Sequence, residues 1–165
     1  MSSSFRSNLS QIDIALEKGR IVDIIPKQEL TWKISFEIIV LEPAHTHLNI
    51  FHFTNNDNHG QHGERTPVLW ISNQYLLVAF NTDSNSNYHF YVPISLNKKM
   101  SVVMEQVLLS GTTPTIRMFV DQKLVHQHSH NWKTLFENVK VYFSDPWHDL
   151  ANVEISNFRY VQYNS

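Results

Sequence analysis

The sequence predicts an all-β chain of one domain, built as an antiparallel sandwich or barrel. Three observations carry this. The dominant hydrophobic period is two rather than 3.6: Trp32, Ile34, Phe36, Ile38 and Val40 alternate with Lys33, Ser35 and Glu37, as in a strand with one buried face. Turn residues recur between such runs at short spacing, among them Lys18-Gly19, Asn73-Gln74, Asn97-Lys98-Lys99, Ser110-Gly111 and Asp121-Gln122, the pattern of a sandwich or barrel. The chain has 165 residues, 42% hydrophobic and 17% charged, long enough to bury one core and too apolar for an intrinsically disordered chain.

The strands are assigned in order along the chain. Weakly marked strands are expected near 12–16 and 20–25, ahead of the clear run from Trp32 to Val40. The apolar stretch 48–54 follows, then Val68-Leu69-Trp70-Ile71 just after Pro67, then 75–80. Tyr88, Phe90 and Val92 alternate with His89 and Tyr91. The stretch Leu96–Leu109 has a length that suits a helix, but Val102, Val103 and Val107 are β-branched and favour a strand over 101–109. Ile116, Met118 and Val120 alternate with Arg117 and Phe119, and a hairpin partner follows at 123–128. Val139, Val141 and Phe143 alternate with Lys140 and Tyr142, and Val153 and Ile155 open a last strand running through Phe158 and Tyr160. A short helical turn is expected near Trp132–Phe136. The Asn-rich stretches 55–58 and 81–87 read as loops.

Composition narrows the function classes. Thirteen Lys and Arg against fifteen Asp and Glu leave a formal charge of -2, with no basic footprint for nucleic acid. No apolar run approaches the ~18–20 residues of a membrane-spanning helix, so membrane insertion is not expected. The chain has no cysteine, which rules out a disulfide framework, a thiolate metal site and a Cys nucleophile. Met1-Ser2-Ser3-Ser4 is polar and no apolar leader segment follows it.

Three blocks of sequence resemble a known superfamily. The first joins Trp32–Glu37 and Asn49–Thr54 to Gly63-Glu64-Arg65-Thr66-Pro67-Val68-Leu69-Trp70. The second is Met104-Glu105-Gln106 with Ile116–Val120 and the hairpin Asp121-Gln122-Lys123-Leu124. The third runs from Phe136 through Ser144-Asp145-Pro146-Trp147 to Ala151–Phe158. Their order and spacing resemble the concanavalin A-like, laminin-G-like jelly-roll superfamily, over most of residues 30–162. Within it the chain is most similar to small invertebrate single-domain lectins, the calcium-dependent galactose-binding lectins of sea anemones among them. The resemblance implies a jelly-roll β-sandwich over residues 1–165, binding of terminal galactose-type sugars without catalysis, calcium as cofactor, and a secreted or extracellular setting. A single shallow sugar site binds weakly, and avidity from two sites leads us to expect a homodimer.

Two loops hold the candidate site residues. Thr54–Arg65 is long for a hairpin connection and rich in side-chain oxygens, as functional loops often are. Calcium takes 6–8 oxygen ligands, and Asp57, Asn58 and Glu64 are suitable types, with Asp145 a fourth from the other loop. Asn55, His59, Gln61 and Arg65 are candidate sugar contacts; the plain alternative is a solvated turn-rich loop. Arg65, in Gly63-Glu64-Arg65-Thr66-Pro67, has a second reading as a brace for the fold. In Asp145-Pro146-Trp147-His148-Asp149, Trp147 could offer a stacking platform and His148 a hydrogen bond, or Trp147 could plug one end of the sandwich. The loop 81–88 reads as a plain hairpin end, with a position beside a binding site as the alternative.

Ten histidines complete the inventory. His126, His128 and His130 alternate and share one face of a strand, a spacing that could bind zinc adventitiously. His52, within an apolar strand, reads as a satisfied buried histidine. The fold also hosts glycoside hydrolases, which use paired carboxylates. The nearest match here is Gln11-Ile12-Asp13-Ile14-Ala15-Leu16-Glu17, where an amide stands in the nucleophile's place. No Gly-x-Ser-x-Gly elbow exists. The rival to a lectin is therefore a laminin-G-like protein-binding adhesion module.

Overall fold

A computed structural model describes residues 5–163, with the side chains of residues 5–8, 11 and 12 excepted. The polar start Met1–Ser4 and the Gln11 side chain thus lie outside the described residues. The strands are β1 (Phe5–Ile14), β2 (Ile21–Gln28), β3 (Thr31–Val40), β4 (Ala44–Thr54), β5 (Val68–Asn73), β6 (Tyr75–Phe80), β7 (Tyr88–Pro93), β8 (Lys99–Leu109), β9 (Thr113–Val120), β10 (Lys123–Ser129), β11 (Phe136–Tyr142), β12 (Asp149–Leu150) and β13 (Val153–Tyr163). No helix occurs among the described residues, and so none is long and apolar enough to cross a membrane.

The strands form two sheets, ordered β1-β13-β3-β8-β9-β10 and β2-β11-β4-β5-β6-β7. Pairing is antiparallel except where the two-residue β12 runs parallel to β4. Residues 12–16 were expected to hold the first strand; it starts earlier and ends at Ile14, paired with β13. The helical turn expected near Trp132–Phe136 is absent. Residues 131–135 are irregular and β11 begins at Phe136; the Trp132 N–H donates to His130 Nδ1 and its ring stacks on those of His62 and Phe136.

The core follows from the period-two pattern. Along β3 every second residue from Trp32 to Val40 is buried. Phe36, Phe51, Phe53 and Phe158 meet from both sheets, with Phe51 centred 5.7 Å from Phe36, 5.8 Å from Phe53 and 5.8 Å from Phe158. β5 and β6 depart from simple alternation, because both of their faces are buried. Leu69, Ile71, Leu76 and Val78 face the core, while Val68, Trp70, Leu77 and Ala79 form a second apolar cluster on the outer face.

β7 and β10 are end strands of the two sheets, and two histidines of β10 with His130 just after it close the seam between them. His126 stacks on Phe90 at 3.6 Å and His128 on Tyr88 at 4.0 Å, while His130 lies beside Phe80. Burial holds all three below the ordinary histidine value. Mutual repulsion with His128 adds to this for His126 and His130, and Asp83 opposes it for His128 and His130. The unfolded chain therefore binds more protons below pH 6.5, the ordinary value for the three rings. Their contribution to stability is complete above that pH and is lost as the pH falls toward the depressed folded values. The melting temperature should hold steady at about pH 7.5 and drop on approach to about pH 5. His126→Gln with His128→Gln should flatten that profile; an unchanged wild-type melting temperature across the range would refute it.

Candidate functional site

The loop between β4 and β5 is braced from within. Glu64 is 1% exposed. One of its carboxylate oxygens accepts from Asn56 Nδ2 at 3.2 Å and the other from the Gln61 N–H at 2.8 Å. Asp57 Oδ1 accepts the Asn58 N–H at 3.0 Å, and its Oδ2 faces exposed His59 at 3.3 Å. The Asn55 N–H donates to the Gly63 carbonyl at 2.9 Å, and the Asn55 side chain fills the space where a Cβ at Gly63 would stand. Gly63, at φ +91, is thus required both by its backbone angle and by the close approach of Asn55. The loop 81–87 secures the same loop from outside, where Asn81 Oδ1 accepts the Gly63 N–H at 2.5 Å and the Ser86 hydroxyl donates to the Gly60 carbonyl at 2.5 Å.

Asp145 anchors the second loop from a fully buried position. Its Oδ2 meets His52 Nδ1 at 2.7 Å, and its Oδ1 accepts the N–H groups of Trp147 at 3.1 Å and His148 at 2.9 Å. His148 Nδ1 lies 2.9 Å from the same Oδ1. Burial alone would raise the Asp145 carboxyl, but hydrogen bonds and charge from His148 and His52 outweigh it and hold it well below the usual carboxylate range. His52 is fully buried, and its other nitrogen, Nε2, faces the Glu64 carbonyl at 2.6 Å. One imidazole thus ties the two loops together, as expected of a satisfied buried histidine.

Above this strut, the outer face of the second sheet carries a hollow of about 190 Å³. Its floor is the outer apolar cluster, Trp70 with Leu77 and Ala79. Its walls are His47, Arg65, Asn87, His89, Tyr91 and His148. Tyr91 is 51% exposed, with its ring nearly at right angles to those of Tyr75 and His89. Trp70 Nε1 lies 3.4 Å from His148 Nδ1. The half-buried Arg65 guanidinium sits over Trp70 at 5.3 Å, donates from Nε to Asn58 Oδ1 at 3.0 Å and from Nη1 to Asn87 Oδ1. His47 is held below the ordinary histidine value by burial first, then by the charges of His148, Arg65 and His89.

Of the candidate sugar contacts, Arg65 and His148 line this hollow. Trp147, 40% exposed, stands beside it with its ring against His52 and Tyr142. Asn55, His59 and Gln61 do not line it. Of the four candidate calcium ligands, Glu64 and Asp145 are buried with oxygens that accept from internal donors, and Asn58 Oδ1 accepts from Arg65. Only Asp57 keeps a partly exposed carboxylate. No group of three His, Asp or Glu placed to hold a metal ion occurs among the described residues, the β10 histidines included. The sequence reading missed His47, Trp70, His89 and Tyr91, while Asn87 belongs to the loop 81–88, for which a place beside a site was the alternative reading. A signal existed for two of the missed residues: the alternation along 88–92 puts His89 and Tyr91 opposite the core-facing Phe90.

No family model matches the chain, and no curated protein matches it in sequence. Solved structures do. The receptor-binding domain of botulinum neurotoxin D superposes at TM-score 0.62 and 13% identity, covering 99% of this chain and 45% of that one. The serotype G receptor-binding domain gives 0.58 and 10%, covering 99% and 44%. The serotype D ligand-binding domain in complex with N-acetylneuraminic acid gives 0.62 and 12%, covering 99% and 43%. At these identities the likeness shows a shared β-sandwich fold, and the chain spans less than half the length of each of these neighbours.

Proposed function

We propose that this chain is a non-catalytic carbohydrate-binding domain that takes a saccharide in the hollow on the outer face of the second sheet. The observation that carries the reading is the juxtaposition of exposed Tyr91 with Arg65, Asn87 and His89 around one opening. A sugar ring presents an apolar face of C–H bonds and an edge of hydroxyls, so it is recognised by an aromatic platform flanked by hydrogen-bonding groups. The neighbours are receptor-binding domains and one was solved with a sugar, which supports binding rather than catalysis as the shared use of the architecture. Terminal galactosides are the first ligand class to test, in line with the sequence resemblance. Direct side-chain hydrogen bonds are the first mechanism to test, and calcium held by the Asp57 loop is the second. Pairing of two copies, for avidity, belongs to the same reading.

A glycan array run with calcium and again with a chelator tests it. The expected result is a signal on galactose-terminated glycans that survives chelation in the wild type and is lost in Tyr91→Ala, with loss of a stacking contact worth about 1 kcal/mol compounded across a multivalent surface. A signal that vanishes with the chelator would return the Asp57 loop to the centre of the mechanism. A blank array in both conditions would overturn the reading in favour of a protein-binding adhesion module.

A further inference from the structure

We propose that the saccharide held in this hollow carries an anionic group, a carboxylate or a sulfate, which docks on Arg65. The inference rests on the saccharide-binding reading and adds the chemical class of the ligand.

Arg65 is a half-buried cation partnered by neutral groups. Its Nε and Nη1 donate to the amide oxygens of Asn58 and Asn87, and its plane lies over Trp70. Among the described residues no carboxylate lies within salt-bridge distance of it. Glu64 and Asp145 act on it only at longer range, and both have their oxygens committed elsewhere. A guanidinium withdrawn from water without a counter-ion is held at a free-energy cost. It gains more from an anion than from a hydroxyl, because charge-assisted bonds are roughly twice as strong as neutral ones. The two asparagines fix the plane of the fork, so the guanidinium is already oriented when ligand arrives.

The rest of the opening agrees in sign. His47, His89 and His148 share the hollow with Arg65, and no Asp or Glu lines it among the described residues. Every titratable wall group is therefore neutral or positive, apart from the Tyr91 phenol. The carboxylates of Glu64 and Asp145 lie behind the wall, buried and bonded to internal donors, so the side chains that face the opening carry no negative charge of their own.

Four monosaccharides separate the possibilities, with binding read by NMR titration of isotopically labelled protein. Methyl galacturonide carries the carboxylate, its methyl ester removes only the charge, methyl galactoside is the neutral parent, and galactose 6-sulfate offers the second anion. The expected result at low salt is affinity at least about tenfold higher for the galacturonide, the 6-sulfate or both than for the ester and the galactoside. That advantage should shrink on raising salt to about 0.3 M, as screening requires. Arg65→Gln should erase the advantage of the acid over its ester, whatever it does to the affinity for the neutral galactoside. Which anion binds tighter identifies the group and supports the proposal either way. Equal affinity for acid and ester together with no advantage of the 6-sulfate over the galactoside in the wild type, comparisons that need no variant to fold, would overturn the anionic class and leave the saccharide reading standing. No shift at the hollow with any of the four sugars would overturn both.

Discussion

Replacing Asp145 by Ala is expected to destabilise the fold by about 3–5 kcal/mol, the sum expected when a buried carboxylate is removed and several of its donors are left unsatisfied. The carboxylate is fully buried and is the acceptor for two imidazole nitrogens and two backbone N–H groups. Alanine would leave His52 Nδ1, 2.7 Å from the carboxylate in the native fold, without a protein acceptor inside the sandwich, where each unsatisfied donor costs about 1–3 kcal/mol. The loss should spread to the candidate site, because His148, a wall of the hollow, is held by the same carboxylate. Asp145→Asn preserves volume and one acceptor oxygen, so it should cost less than the alanine variant and more than nothing. Urea denaturation at neutral pH measures both. A loss below about 1 kcal/mol for the alanine variant would show that the strut is not what holds the two loops together.

Phe51→Ala is expected to cost about 3–5 kcal/mol as well, by a different route. Phe51 is 1% exposed and makes edge contacts with Phe36, Phe53 and Phe158, so it bridges the two sheets at the centre of the core. Its removal loses the burial of a large apolar side chain and leaves a cavity that packed strands cannot fully close. Phe51→Leu keeps most of the volume and should lose only part of that stability. Unlike the Asp145 change, this one acts on the inner face of β4, whereas His52 lies on its outer face. Sugar binding below the melting temperature should therefore survive Phe51→Ala and fail in Asp145→Ala. Comparing the two at matched stability distinguishes a positioning role for the strut from general destabilisation.

The fold was legible because its signal is local. A strand buried on one face writes a period-two pattern into the sequence, and Trp32–Val40 carries it without a break. The β-branched run in 101–109 likewise settled that segment as a strand. The misreadings have local causes too. Residues 131–135 lack alternation because they precede β11, and the Trp132 ring there stacks on His62 and on Phe136 at the strand's start. β12 is two residues long, too short to write any period.

The candidate site was legible only in part. The sequence marked the two loops as unusual and named Arg65 and His148, both of which reach the hollow. It could not tell a carboxylate that faces a ligand from one that braces a loop. Glu64 and Asp145 have the chemistry of metal ligands, and only burial and the identity of their donors show them satisfied from within.

The sequence by itself determined the all-β class, the order of the main strands and the alternation that puts His89 and Tyr91 outward. Those properties depend on neighbours within a strand. The tertiary structure alone decided that Asn87, from a loop read as a plain hairpin end, would meet Arg65 from another. It also decided that the outward faces of β5 and β6 would form an apolar floor, and that four cation-capable side chains would gather on a chain of net charge -2. Those properties depend on which strands become neighbours in the sheet, and strand order brings together residues that no local pattern relates.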